Sequence, residues 1–123
     1  MSRSLRLIAA PGLAVAVLLL VAPGAPAATT CKLSLRTSQG LGATYVTNLE
    51  VRGVACAAGR RVARAFQACR RRHGLKGRCT TKVLGYGCSE RRPANEQIPT
   101  QLNGRVTCRR GGRRVTFAYQ QNL

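Results

Sequence analysis

The chain has 123 residues and a one-sided charge, with 21 lysines and arginines against three acidic residues, one histidine and no aspartate or tryptophan. This composition excludes an aspartate-containing catalytic triad and leaves few carboxylates for acid/base chemistry. It supplies instead a positive field that attracts polyanions.

The first residues read as an export signal. Arg3 and Arg6 form a positive n-region, residues 7–21 are apolar apart from Pro11 and Gly12, and Ala25-Pro26-Ala27 has the small-x-small form of a cleavage site. The apolar run falls short of the ~20 residues of a membrane span. We therefore expect a cleavable signal over residues 1–27, cut after Ala27, and one secreted domain over 28–123. That domain carries 19 basic and three acidic residues.

A domain of this size buries a smaller share of its surface than a larger one, and only Phe66, Phe117, Tyr45, Tyr86 and Tyr119 contribute rings. Cross-links are the expected remedy. Cys31, Cys56, Cys69, Cys79, Cys88 and Cys108 form an even set behind an export signal, which predicts three disulfides. Their spacing lacks the close ligand pairs of a zinc site, so no metal or other cofactor is expected. Cys69 with Cys79 would tie a helix end to the loop after it; the other four cysteines permit several pairings.

In chain order, Cys31, Leu33 and Leu35 alternate with polar residues, which predicts a strand over 31–36. A second strand is expected over 45–54, with Leu49 and Val51 on one face and Asn48, Glu50 and Arg52 on the other, and with Gly53 as a bulge or an end. From Cys56 the period becomes helical. Ala58, Val62, Ala65, Phe66, Cys69 and His73 share one sector while Arg60, Arg64, Gln67 and Arg71 lie opposite, predicting an amphipathic helix over 56–73 capped by a left-handed Gly74. A glycine-rich strand is expected over 82–88, and the aperiodic, proline-containing stretch 89–103 reads as a long exposed loop.

The last twenty residues predict a hairpin, since Gly111-Gly112 suits a two-residue primed turn. Pairing Arg110 with Arg113 sets Cys108 opposite Val115 and Val106 opposite Phe117 on a core face. The other face then pairs Arg105 with Ala118, Thr107 with Thr116 and Arg109 with Arg114. The expected fold is a small disulfide-stapled α+β domain of order β-β-α-β-β-β, with the helix on one face of an antiparallel sheet and the other face open to water.

Facing arginines cost roughly 0.2 to 1 kcal/mol per opposed pair unless an anion lies between them. Guanidinium forks bind carboxylate or phosphate, so Arg105, Arg109, Arg110, Arg113 and Arg114 form the first candidate anion site, and Arg60, Arg64 and Arg71 on the helix form a second. Candidate partners are acidic cell-wall or other anionic polymers, anionic membrane surfaces, or a secreted acidic protein. Sequence-specific nucleic-acid binding is not expected, because few rings are available for stacking. The single His73 reads as a capping or partly buried structural residue, and Glu50, Glu90 and Glu96 show no catalytic spacing. The chain is therefore expected not to be an enzyme.

Leu41-Gly42-Ala43-Thr44, Val51-Arg52-Gly53-Val54-Ala55-Cys56, Val83-Leu84-Gly85-Tyr86-Gly87-Cys88 and Val106-Thr107-Cys108-Arg109-Arg110-Gly111-Gly112 occur in that order around an arginine-rich helix. In this the chain resembles small secreted, cysteine-containing proteins of high-G+C actinobacteria. The resemblance spans nearly all of residues 28–123, implies no functional residues, and offers codon usage as a source of the 18 arginines. In size, compartment and disulfide content the chain is also similar to secreted inhibitors of the subtilisin-inhibitor kind. That analogy would make residues 90–102 a protease-facing loop.

Overall fold

Gly111-Gly112 turns the chain back on itself between the two longest strands of the molecule. The computed structural model describes residues 11, 12, 14–21, 24 and 26–123; Arg3, Arg6 and Ala25 of the expected export signal lie outside the described residues. In chain order the elements are β1 (Thr29–Thr30), α1 (Leu35–Gln39), β2 (Tyr45–Arg52), α2 (Cys56–Arg71), β3 (Gly87–Arg91), β4 (Gln101–Arg110) and β5 (Arg113–Asn122), with a 3₁₀ turn at Ala94–Glu96. The strands make one antiparallel sheet in the order β1-β2-β5-β4-β3. The helix α2 packs on β2 and β5, so the expected α+β layer is present. Among the described residues no helix is long and apolar enough to cross a membrane.

The β4–β5 register is the one computed from the sequence, with Arg110 opposite Arg113, Cys108 opposite Val115 and Val106 opposite Phe117. Only the first turn glycine is left-handed, Gly111 at φ 56°, which is the type II′ pattern. The core face carries Val106, Cys108, Val115 and Phe117, all buried, and the Phe66 ring of α2 meets Phe117 edge-on at 5.7 Å.

Three disulfides join Cys31 to Cys56, Cys69 to Cys79 and Cys88 to Cys108. The first two anchor the two ends of α2, and the third links directly opposed residues of β3 and β4.

Several expectations are corrected. The strand predicted over 31–36 is replaced by the short helix α1, because Ser34 Oγ accepts the Thr37 N–H at 3.1 Å and closes a capped turn. Pairing with β2 stops at the Cys31 N–H, which donates to Leu49 O, close to a bulge where Asn48 adopts φ 51°. The strand predicted over 82–88 is a tight turn instead. Leu84 and Gly85 are both left-handed, Val83 and Tyr86 exchange hydrogen bonds, and β3 begins only at Gly87.

The loop predicted over 89–103 shrinks to residues 92–100. Its first residues complete β3 and its last ones begin β4. Hydropathic periodicity misses the continuation of β3 past Cys88 because its next core-side residue is a carboxylate, Glu90, opposite Val106. The remaining segment is held by Gln97, whose amide donates to Pro93 O and Asn103 O and accepts the Asn103 N–H, each at 2.8 Å.

The helix ends at Arg71, short of the predicted 73, with Gly74 left-handed as expected. His73 therefore leaves the apolar sector and is exposed, which corrects its reading as a partly buried residue. The buried stripe of α2 keeps Val62, Phe66 and Cys69 of the predicted sector but is rotated to take in Gly59, Ala63, Gln67 and Arg70 in place of Ala58, Ala65 and His73. Gly59 sets this rotation. A Cβ there would lie 2.4 Å from Val51 Cγ1, so glycine lets the helix settle directly on β2.

Candidate anion-binding face

The sheet has one face under α2 and one open face, and strand alternation decides which arginines reach each. On the open face Arg109 of β4 stands opposite Arg114 of β5, and Arg114 stands opposite Arg52 of β2. Three guanidinium-bearing positions thus form a row across three adjacent strands, roughly 4.8 Å apart from strand to strand. Beyond Arg109 the row ends on Gly87 of β3, where a Cβ would meet nothing within 4 Å.

Arg52 was not among the residues singled out from the sequence. Its period-2 position placed it on the polar side of β2, but only the β2–β5 register shows that it joins Arg114. Its Nε is buried without a hydrogen-bond partner.

The five hairpin arginines do not converge on one site. Arg105 shares the open face but is paired with Glu96, its Nε lying 3.3 Å from Oε2 and its Nη2 bonding Oε1. That hydrogen bond raises the Arg105 pKa further. Arg110 and Arg113 alternate to the opposite side of the sheet, at the turn. There Arg110 Nη1 donates to Leu84 O at 3.3 Å across Gly85, bracing the 83–86 turn, and Arg113 flanks Gly53. Arg109 and Arg114 remain from the predicted group.

The second predicted group lies on the outer side of α2, so the helix and sheet separate it from the row. Arg60 is half-buried while Arg64 and Arg71 are exposed. Arg64, Arg71 and Arg72 border a shallow depression with Gly40 and Gly42, where Arg71 Nη1 donates to Gly42 O at 3.1 Å.

Among the described residues no carboxylate forms an ion pair with the row. Glu90 accepts hydrogen bonds from Tyr119 Oη and Arg92 Nε and pairs with Arg78 at 3.4 Å. Glu96 is held by Arg105. Glu50 lies on the open face one row in from Arg52, opposite Thr116, and among the described residues makes no ion pair within 4 Å.

Behind the open face the sheet rests on a buried polar network that sequence reasoning missed. Arg70 is fully buried, with its guanidinium carbon 4.4 Å from the Tyr119 ring centroid. It donates to Gln67 Oε1 at 2.6 Å, Leu75 O at 2.6 Å and Gln121 Oε1 at 2.8 Å. Burial lowers its pKa, opposed by the nearby Tyr119 and Glu90. Burial, and then the hydrogen bond to Glu90, push the Tyr119 phenol up to about 12. The Tyr119 ring occupies the space a side chain at position 104 would need, since a Cβ on Gly104 would fall 2.3 Å from Tyr119 Cε1.

No protein-family model, curated protein or solved structure matches this chain.

Proposed function

We propose that this protein is an exported, non-enzymatic binding module that takes an anionic extracellular polymer on the row Arg52, Arg114, Arg109. One observation carries the reading. Three arginines occupy adjacent positions across β2, β5 and β4 with no ion-paired carboxylate, and one of them has a buried Nε that no protein atom satisfies. Like charges so placed are mutually destabilising, and an anion bridging them reverses the sign. Export is supported by three disulfides, which persist in oxidising compartments, and by the leader sequence. The non-enzymatic reading is supported by the engagement of Glu90 and Glu96 in bonds within the fold and by the exposed, solitary His73.

Binding of the oxidised protein to teichoic-type polymer, polyuronate, nucleic acid and anionic vesicles, measured across a salt series, tests this. Polymer affinity is expected to fall steeply with salt. Arg109→Gln with Arg114→Gln is expected to cost more affinity than Arg60→Gln with Arg64→Gln. Flat, negligible polymer binding at low salt would sink the proposal, and preference for nucleic acid or vesicles would reassign the partner.

A second reading is favoured by the Gln97 brace. It holds residues 93–103 in a fixed shape with Ile98 half exposed at the outer turn, as a protease-facing loop requires. Titration of secreted proteases decides it, since cleavage in this segment without inhibition would end the idea.

A further inference from the structure

We infer that the polymer is an acidic glycan, with its sugar units seated in a hydroxyl-floored trough beside the arginine row. This rests on the anion-binding reading and adds the chemistry of the neutral part of the ligand.

Moving along the strands from the row, the open face changes character. Beside the exposed Glu50 of β2, Thr116 and Thr107 come first, directly opposed, and then Ala118 with Thr47. These short side chains floor a trough of about 380 Å³, with Asn103 and Gln120 toward its far end and the Glu96–Arg105 pair on its rim. The volume lies within the ~300–1,000 Å³ of typical ligand sites. Thr107 and Thr116 are two residues from Arg109 and Arg114, or roughly 7 Å at about 3.4 Å per residue. One extended ligand can therefore reach the trough and the row together.

The trough's chemistry selects the class. Each threonine hydroxyl is both donor and acceptor, as a sugar hydroxyl is, and the amides of Asn103 and Gln120 add both kinds of group. The Glu96 carboxylate beside the Arg105 guanidinium offers an acceptor and a donor side by side, the arrangement that neighbouring hydroxyls on a ring can bridge. A sugarless polyanion or a bare lipid phosphate would engage the arginines and leave the trough unused. Nucleobases would need stacking rings, but Phe66, Phe117, Tyr86 and Tyr119 are buried and only Tyr45 is partly exposed.

The test compares polygalacturonate, a teichoic-type glycan phosphate and inorganic polyphosphate, using the oxidised full protein. Ala118→Phe fills the trough without changing charge. It is expected to weaken binding of a glycan about tenfold or more while leaving polyphosphate affinity within about twofold. Thr116→Val removes one hydroxyl at nearly constant shape and is expected to cost glycan binding about 2- to 12-fold, the worth of one hydrogen bond; it decides the matter if Ala118→Phe fails to fold. Loss on polygalacturonate assigns a carboxylate glycan and loss on the teichoic-type polymer a phosphate glycan. Unchanged binding of both glycans by both variants overturns the inference but leaves the anion-binding reading intact. Undiminished binding of all three probes by Arg109→Gln with Arg114→Gln overturns that reading.

Discussion

Replacing Arg114 by glutamine should make the unliganded fold more stable. Arg114 stands between Arg109 and Arg52, so a single substitution removes two directly opposed like-charge pairs. Each is worth roughly 0.2–1 kcal/mol, and solvent screening at the exposed Arg109 end favours the lower half, giving about 0.4–1 kcal/mol in total. For a domain of 60–100 residues this corresponds to a rise in Tm of about 2–8 °C. The assay is thermal unfolding at about 10 mM and about 1 M salt. At 1 M the Debye length of about 3 Å is shorter than the roughly 4.5–5.5 Å between opposed Cβ atoms, so the gain should disappear. Arg64→Gln, on the outer side of α2, should stay within about 0.5 kcal/mol at both salts. Saturating polymer should reverse the order of wild type and Arg114→Gln, because the ligand stabilises the intact row more. A fall in Tm at low salt, or an equal gain at both salts, would refute the argument that these arginines repel one another and await a counter-ion.

Three further outcomes probe the buried network around Tyr119. The folded Tyr119 phenol titrates at about 12 against ~10 when unfolded, so the folded chain keeps a proton that the unfolded chain releases. Stability is therefore full below about pH 10 and should fall by roughly 2–3 kcal/mol as pH rises to about 12, and denaturant melts of Tyr119→Phe should lack that component. Gly104→Ala drives a Cβ to 2.3 Å from a Tyr119 ring held by Arg70 and Glu90, and should cost about 1–3 kcal/mol in urea unfolding. Arg70→Met strips the donor from Gln67, Gln121 and Leu75 O while Glu90 keeps Arg92 and Arg78; a loss of about 1–3 kcal/mol for each buried acceptor left without a donor is expected from the same measurement.

The hairpin was legible residue by residue because its apolar positions alternate strictly and its turn is marked by Gly111-Gly112. The Cys69–Cys79 bridge was legible because ten residues separate a helix end from its own following loop. Legibility failed where a polar residue faces inward. Glu90, Gln67 and Arg70 carry no hydropathic signal of burial; Glu90 is held by Tyr119 and Arg92, and Arg70 by Gln67 on its own helix and Gln121 of β5. That is why residues 89–91 of β3 read as loop and the buried stripe of α2 is rotated from the predicted one. The short helix α1 was missed for a local reason, since one Ser34–Thr37 cap outweighs a brief apolar alternation.

By itself, the sequence determined the charge, the three disulfides, the single main helix and the β4–β5 register, since composition, periodicity and turn chemistry are properties of neighbouring residues. Only the tertiary structure decided which arginines stand together. It paired Arg105 with Glu96 and brought Arg52 across from β2 to complete the row. Arg52 and Arg114 come from strands more than sixty residues apart in sequence, and pairing at that distance is fixed by the packing of the whole sheet.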